Sequence, residues 1–322
     1  MTSWKKYVLV AVIVMVAGFA YVSNSRRNIP PDLRDAVADD VKAQKFDTSI
    51  PVVGKDRENI PVSEAVAPVK THDSGKGYVE ANAAGTPSTP IEWIPIEGGK
   101  FMMGTDTQGP HFLDARPVHE VAIKTFDMSK TAVTVEQYAE CMFKGGCTEP
   151  TTDVNCNWGK RGRQLHPINC VTLDQANQYA RFKGARLPSE SEWEYAATSG
   201  GRNQKYPWGN DEPTCDKAVR RDCNDKFGSK PVCSKPAGNT AQGLCDMAGN
   251  VWQWVQDKYQ DSYHGVPADG NAFEGETFSG DQVIRGGCYR TDSILFMRAD
   301  YRNHFDRDFH SDIIGFRLAR SR

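Results

Sequence analysis

Hydrophobic residues follow three different patterns along the 322-residue chain. An uncharged apolar run of about 16 residues extends from Tyr7 to Val22. Prolines then interrupt every candidate element as far as residue 88, where short apolar alternations and helical periodicities begin. The pattern predicts a signal anchor or transmembrane segment at residues 1–25, a flexible linker at residues 26–88 and a folded domain at residues 89–322.

The N-terminal segment has the character of a membrane anchor. A helix over the apolar run would span roughly 24 Å, which is short of the roughly 30 Å hydrocarbon core. Trp4, Lys5 and Lys6 would reach the membrane interface and so allow the helix to cross. The small residues around Gly18 and Ala20 leave a cleaved signal peptide open as the alternative. Both interpretations place the rest of the chain in the periplasm, and the first anchors it in a bacterial inner membrane.

The linker buries too little apolar surface to offset the entropy of ordering it. We expect a tether with a reach of roughly 40 Å. A strand over residues 47–54, DTSIPVVG, is the alternative for part of this segment.

Strand patterns open the folded domain. Residues 91–105, IEWIPIEGGKFMMGT, alternate apolar residues around Gly98 and Gly99 and predict a β-hairpin. Residues 118–130, VHEVAIKTFDMSK, predict one further strand.

Three helix starts share the same chemistry, a hydroxyl followed three residues later by an amide or a carboxyl group. The pairs are Thr134 with Gln137, Thr172 with Gln175, and Ser189 with Glu192. Such a pair satisfies two backbone donors that a helix start leaves free. The sequence therefore predicts three short helices, the second of which ends near Gly184.

Charge and cysteine content narrow the function classes. Lys and Arg number 39 against 41 Asp and Glu, which argues against nucleic acid as a partner. The nine cysteines include no CxxC pair, so a structural zinc site is disfavoured. Disulfides in an oxidising compartment are the better interpretation.

Seven sequence blocks occur in an order that is typical of one protein family. They are IPIEGGKFMMGT, RPVHEVAIKTFDMSKTAVTVEQYAEC, HPINCVTLDQANQYARFKGARLPSESEWEYAA, YPWGN, GLCDMAGNVWQW, VIRGG and GFRLAR. Together they resemble the formylglycine-generating enzyme family, also called sulfatase-modifying-factor domains, over about residues 91–322. The resemblance implies a single α+β domain with a C-type-lectin-like core, much irregular structure and bound calcium. It does not fix the reaction, because related domains bind as well as catalyse.

Proximity along the chain and the resemblance together imply four disulfides. The proposed pairs are Cys141 with Cys147, Cys156 with Cys170, Cys215 with Cys223, and Cys233 with Cys245. Eight cysteines permit 105 connectivities, so this pairing is a hypothesis. It leaves Cys288 without a partner.

The copper site of the family enzymes has no counterpart here. Those enzymes oxidise a substrate cysteine with O2 and hold Cu(I) between two cysteines that follow an RGG motif, because soft thiolates suit that metal. Aligned on the RGG that begins at Arg285, the two positions fall on Thr291 and Phe296. Neither side chain supplies a thiolate, so we expect no copper and no formylglycine generation.

Cys288 is left as a weak candidate for a catalytic nucleophile. Its activation would need cationic or basic neighbours, for which Arg285, Arg290, His304 and His310 are available in sequence. A buried, inert thiol and a further disulfide are the alternatives.

The segment from Arg285 to Asp312 has the arginines and aromatic residues that anchor interfaces. We predict that a partner or ligand is bound by Arg285, Cys288, Tyr289, Arg290, Thr291, Arg298, Arg302, His304, Phe305, Asp306 and Arg307. The alternating residues His304, Asp306, Asp308, His310 and Asp312 would share one face of an extended chain. A transition-metal site and a solvated, salt-bridged loop are therefore alternatives for this part.

Calcium is the ion that the resemblance implies. In family members one site uses the Asn and the Glu of a GNVWEW-like motif, and calcium requires several oxygen ligands. Here Asn250 matches, and Gln253 replaces the Glu, so the resemblance implies a weakened calcium site.

Together these features predict a non-catalytic binding or regulatory protein with a protein partner in the cell envelope. By analogy, it would be an accessory factor of a type VI secretion system or of a kinase-controlled envelope system. A modified oxidoreductase that acts on a protein cysteine or a small thiol is the first alternative. A lectin-like ligand-binding protein is the second.

Overall fold

A computed structural model describes residues 88–223, 228–277 and 279–322. The predicted anchor at residues 1–25 and nearly all of the predicted linker lie outside the described residues. Within the described part of the chain, no helix combines the length and the apolar character that a membrane span needs.

Three short helices lie where the capping pairs predict them. They are α1 (Val135–Phe143), α2 (Leu173–Phe182) and α3 (Glu190–Ala197). Each begins with a reciprocal capping box, in which the hydroxyl accepts the N3 backbone N–H and the N3 side chain accepts the N-cap N–H. Gly184, with φ of 62°, follows the end of α2. The helix predictions are confirmed.

The described residues also form nine short strands. These are β1 (Trp93–Ile96), β2 (Gly99–Met103), β3 (His119–Ile123), β4 (Phe126–Ser129), β5 (Trp252–Lys258), β6 (Gln282–Arg285), β7 (Asn303–Phe305), β8 (Ile314–Phe316) and β9 (Ala319–Ser321). They make three sheets with the orders β1-β4-β9, β2-β3 and β7-β6-β5-β8. Only the β5–β8 pair is parallel among them. The domain is a mixed helix and strand fold with few helices and much irregular structure, as the α+β prediction requires.

The predicted hairpin over residues 91–105 is wrong. β1 pairs with β4 and β2 pairs with β3, so the two halves of the segment belong to different sheets. The same pairing divides the single strand predicted over residues 118–130 into β3 and β4. A Cβ at Gly98 would lie 2.4 Å from the carbonyl oxygen of Ile123, so glycine is needed for close passage of the chain there.

Two hydrophobic clusters hold these elements together. One packs α1 and α2 against β8 and includes Trp254 and Phe316, both fully buried. The other packs α3 beneath β2 and β3 and includes Trp193 and Phe101. α3 and β6 both contribute to this second cluster, and β6 leads directly into the segment from Arg285 to Asp312.

The four disulfides implied by the sequence are present. Their Cα–Cα distances are 5.4 Å for Cys141–Cys147, 5.7 Å for Cys156–Cys170, 5.1 Å for Cys215–Cys223 and 5.0 Å for Cys233–Cys245. These values lie within the usual range for a bridge. Cys288 is a free, buried thiol.

Candidate functional site

The RGG turn places Arg285 in the interior. Arg285 is the last residue of β6, and both glycines that follow have positive φ, 101° at Gly286 and 72° at Gly287. A Cβ at Gly286 would lie 3.0 Å from the Trp193 ring. The glycines therefore permit a left-handed turn against a packed indole, where another residue would be strained.

Arginine and glutamate side chains form a buried ion network beneath this turn. The Arg285 Nη1 and Nη2 atoms lie 2.7 Å from Glu190 Oε1 and 2.5 Å from Glu194 Oε2. Arg302 Nε lies 2.7 Å from the same Glu190 Oε1. The two arginines are 0% and 3% exposed. Because both glutamates belong to α3, the network fixes the C-terminal segment onto that helix.

The network sets the protonation of its acids. Burial alone would raise the pKa of Glu190, but the charges of Arg302 and Arg285 outweigh it and lower the pKa. Asp257 accepts the backbone N–H groups of Glu190 and Phe273 and forms no ion pair within the described part of the chain. Burial and the nearby charge of Glu190 raise the pKa of Asp257 to about 7.

Arg298 is the third arginine of the segment that turns inward. Its Nε atom lies 2.8 Å from Asp300 Oδ1, and its Nη2 atom lies 2.9 Å from the Thr107 hydroxyl. The side chain is 7% exposed. The prediction that Arg285, Arg298 and Arg302 contact a partner needs correction, because their guanidinium groups are already bound inside the domain.

The two positions that hold copper in the family enzymes are packed by other groups. Thr291 is buried, and its Oγ1 accepts the Cys288 N–H at 3.0 Å. The Phe296 ring lies 4.8 Å from the Tyr301 ring and 5.7 Å from the His111 ring. A hydroxyl and a phenyl ring offer no soft ligand, so these residues do not fit Cu(I).

Cys288 has the surroundings of an inert thiol. It is 3% exposed, and its sulfur lies 3.7 Å from the Thr291 hydroxyl. Burial raises the pKa of the Cys288 thiol, which disfavours the thiolate that a nucleophile needs. The side chain packs in the cluster of α1 and α2 and does not reach the surface.

The next two residues connect the RGG turn to the end of the segment. Tyr289 donates its hydroxyl to Asp312, and the Arg290 guanidinium forms an ion pair with the same carboxylate. The Tyr289 side chain is buried, whereas the Arg290 side chain is 39% exposed. Asp312 therefore holds the two ends of the segment together.

Residues 304–310 form the exposed end of the segment. His304 Nδ1 lies 2.6 Å from Asp281 Oδ2, and its ring stacks on Tyr259 at 3.6 Å. Phe305 stacks on Phe309 at 4.3 Å, and Phe309 is 38% exposed.

Two further charged residues lie on this exposed end. Arg307 Nη2 lies 2.5 Å from Asp174 Oδ1, with both side chains more than half exposed. Asp306 is also exposed. Of the predicted contact residues, those from His304 to Arg307 are thus at or near the surface.

The alternating acids and histidines do not gather into a metal site. His304 is directed to Asp281 of a different loop, and the His310 ring contacts the Asp308 carbonyl at 3.2 Å. Within the described ranges, no group of three or more His, Cys, Asp or Glu side chains is placed to hold a metal ion.

The two residues predicted to bind calcium are directed elsewhere. The Gln253 amide oxygen accepts from Trp193 Nε1 at 2.9 Å and from Arg317 Nε at 2.6 Å, and Gln253 is fully buried. Asn250 exchanges hydrogen bonds with the backbone of Lys230, each 3.1 Å long. Because a guanidinium cation already occupies the Gln253 oxygen, this pair does not fit a calcium ion.

Arg317 was missed by the sequence reasoning. Its guanidinium is fully buried and donates to the backbone carbonyls of Ser129, Lys130 and Cys245 as well as to Gln253. Burial lowers the pKa of Arg317 to about 10, so it stays charged at neutral pH. The GFR motif was the available signal, because a lone arginine between apolar residues at a strand end needs an internal partner.

Comparison with known proteins gives the family. The profile described as "Sulfatase-modifying factor enzyme 1-like domain" matches residues 79–322. "Serine/threonine-protein kinase pkn1" of Chlamydia caviae is 30% identical over 264 residues, which cover 76% of this chain and 40% of the relative. "Hercynine oxygenase" of Mycolicibacterium smegmatis is 30% identical over 272 residues, which cover 73% of this chain and 63% of the relative. The chain thus spans less than two thirds of either relative.

A solved structure has the same fold at similar identity. The structure of PvdO from Pseudomonas aeruginosa superposes with a TM-score of 0.62 at 30% sequence identity. The match covers 72% of this chain and 95% of that one. The similarity thus extends over nearly the whole of the solved PvdO chain.

Proposed function

The chain belongs to the sulfatase-modifying-factor family, and from that premise we propose that it is a non-catalytic binding or regulatory protein of the cell envelope. The family includes relatives named as oxygenases and as kinases, so membership alone does not decide between catalysis and binding. The proposal depends on the residues that this chain has at the family's reaction centre.

One observation carries the proposal. The positions of the two copper cysteines hold Thr291, whose hydroxyl is bonded within the RGG turn, and Phe296, whose ring is part of an aromatic cluster. The remaining thiol, Cys288, is buried and has a raised pKa. A buried thiol without a thiolate partner supplies neither a copper ligand pair nor an activated nucleophile.

A direct assay separates this function from the enzymatic alternative. The purified full-length protein is incubated with Cu(I), O2 and a cysteine-containing peptide, and the mass of the peptide is measured. We expect an unchanged peptide mass. The mass loss of aldehyde formation, if it disappears in Cys288→Ser, would instead establish the modified oxidoreductase.

The surface proposed for the partner is the exposed end of the segment, residues 304–310. It combines a stacked phenylalanine pair with partly exposed charges, and aromatic and arginine side chains are enriched at binding hot spots. Outside this surface, Arg290 is partly exposed and paired with Asp312. Arginines 285, 298 and 302 are bonded inside the domain and make no direct contact in the proposal.

Site-specific crosslinking tests the surface. A variant with a photoreactive amino acid at position 309 is expressed in its native cells and irradiated. The crosslinked products are identified by mass spectrometry. The matched control carries the same amino acid at Val154, which is 85% exposed and outside the segment. We expect a product from position 309 that position 154 does not give. The same product from both positions, or none from 309, would place the partner elsewhere.

The compartment belongs to the proposal as well. Four disulfides favour an oxidising environment, in agreement with a periplasmic domain tethered to the inner membrane. Protease treatment of intact spheroplasts tests this, because a periplasmic domain is digested without lysis.

The finer hypothesis is an accessory role in a type VI secretion system or in a kinase-controlled envelope system. Relatives named as serine/threonine kinases support the link to signalling, although the match spans only 40% of such a relative. Deletion of the gene should then reduce secretion or kinase output. Phe309→Ala should also reduce that output. A lectin-like core remains a prediction from the resemblance; the resemblance also implies calcium, which Asn250 and Gln253 do not fit.

A further inference from the structure

A second site lies in the cleft between strand β2 and the loop that follows α3. One wall is formed by residues 100–107 and the other by residues 201–205, with Glu194, Arg298 and Asp300 at the floor. The cleft has a volume of about 920 Å³, which is within the range of ligand-binding sites. It includes none of the residues at the family's copper positions and none of residues 304–310.

The wall formed by β2 is an unpaired strand edge. β2 pairs with β3 alone, with Lys100 opposite Ala122 and Met102 opposite Glu120. Ala122 donates its N–H to the Ala268 carbonyl, away from β2. Lys100 and Ala122 therefore form a non-hydrogen-bonded pair. In an antiparallel sheet, both residues of such a pair direct their backbone N–H and C=O groups away from each other. The N–H and C=O groups of Lys100 and Met102 therefore face away from β3.

These outward groups have no hydrogen-bond partner among the described residues. They offer two donors and two acceptors at alternating positions, the pattern that an added strand requires. The neighbouring Gly104 N–H, in contrast, is already bonded to Glu194 at 2.8 Å. The part of the β2 edge with unpaired backbone groups thus runs over the three residues from Lys100 to Met102. It ends before Gly104, whose N–H is bonded to Glu194.

The opposite wall supplies charge. Arg202 and Lys205 line it and form no ion pair with any described residue, and no acidic side chain lies among residues 201–205. At the floor, Arg298 is neutralised by Asp300, and Glu194 by Arg285. Asp106, on the β2 side, is the exposed acid of the cleft. The uncompensated charge on the loop wall is therefore positive.

The exposed face of β2 adds an apolar contact. Met102 is 59% exposed and lines the same cleft as Val118, the residue that precedes β3. A side chain of an added strand would pack on these two residues. Alternate side chains would point to the opposite side, toward the floor and the cationic loop.

From these observations we propose that the cleft binds an extended segment of a partner protein, which adds to the outer edge of β2. The bound segment has an apolar residue over Met102 and at least one Asp or Glu directed to Arg202 and Lys205. Main-chain bonds to Lys100 and Met102 give affinity, and the two walls give specificity. The site is separate from the surface at residues 304–310, so either can fail without the other.

Selection of peptides tests the proposal. Random seven-residue peptides displayed on phage are selected against the full-length protein in detergent, and enriched sequences are synthesised with a fluorescent label. We expect alternation of apolar and acidic residues in the enriched set. Failure to enrich any peptide, or enrichment of peptides without acidic residues, would overturn the proposal.

Variants of the cleft locate the binding. Met102→Pro removes an N–H that faces the cleft and leaves the β2–β3 bonds intact, because an edge position tolerates proline. We expect it to weaken peptide binding about tenfold or more in fluorescence anisotropy, whereas Met102→Ala, which keeps the N–H, should change it by less than about threefold. Arg202→Glu with Lys205→Glu should weaken it about tenfold. Unchanged binding in both Met102→Pro and the charge-reversal variant would place the peptide elsewhere.

A second measurement does not depend on the folding of any variant. The enriched peptide is N-methylated at one amide at a time, which removes a donor without changing the protein. Loss of binding at every second position is expected from a strand added to β2. Equal tolerance at all positions would exclude strand addition.

Discussion

The arginine-rich segment has two halves that look alike in sequence and differ completely in structure. Of the four arginines in residues 285–302, Arg285, Arg298 and Arg302 point inward and meet a carboxylate at less than a tenth exposure, whereas Arg290 is 39% exposed. Residues 303–312 place Arg307 on the surface, paired with Asp174 in contact with water. A buried charge is costly to leave unpaired, whereas an exposed pair contributes little. The buried arginines therefore stabilise the fold, whereas the outer half remains exposed to solvent.

The largest expected effect comes from removing the charge at the centre of the inner half. Arg285→Ala leaves Glu190 and Glu194 as buried carboxylates with one partner fewer, and should cost about 3–5 kcal/mol of unfolding free energy. Urea unfolding followed by tryptophan fluorescence measures this change. Arg307→Ala is the matched control, with an expected cost below about 1 kcal/mol. Equal costs for the two variants would refute the contrast between the halves.

The next effect concerns the anchoring of the outer half. Cys170, bridged to Cys156, donates its N–H to the Ser311 carbonyl, and Asn169 donates to the Asp312 carbonyl. Replacing both cysteines by serine opens a loop with a sequence separation of 14, which should cost about 3 kcal/mol.

Hydrogen exchange sharpens this second prediction. The Cys170 amide is protected by its bond to Ser311, so the double variant should exchange it faster, while amides of β5 keep their protection. Uniform loss of protection would mean that the disulfide stabilises the whole domain and does not specifically anchor the outer half.

A third prediction concerns Asp257 of β5, the buried acid beside the inner network. The pKa of Asp257, behind the inner network, is raised to about 7 from an ordinary value near 4. The folded state then holds a proton that the unfolded state releases, so this contribution is present below about pH 4 and is lost as pH rises through 7. The unfolding free energy should fall by up to about 1 kcal/mol per pH unit in this window, and Asp257→Asn should reduce that slope. A steeper decline in the variant would contradict the assignment.

The smallest expected effect is the coupling between the outer half and α2. A double-mutant cycle with Arg307→Ala and Asp174→Ala should give an interaction energy below about 0.5 kcal/mol, and less in high salt. A coupling near 2 kcal/mol would show that the outer half is as firmly built as the inner one.

The sequence was sufficient wherever a short-range rule decides the structure. Capping pairs such as Thr134 with Gln137 fix a helix start within four residues, and all three are present. Cysteines close in sequence formed the four expected bridges. The order of the seven sequence blocks was sufficient to identify the family, because the blocks are spread over the whole folded domain.

Strand pairing and burial were decided only by the tertiary structure. The glycine pair between the apolar positions of β1 and β2 suggests a hairpin, yet each strand pairs elsewhere, and Gly98 lies against the Ile123 carbonyl. Arg302 and Arg307 are indistinguishable as letters, and only the position of α3 makes one an internal ion pair and the other a surface residue. The direction of Gln253 toward Arg317 was likewise hidden. The physical reason is that burial, pairing and side-chain direction depend on contacts between residues far apart in the chain.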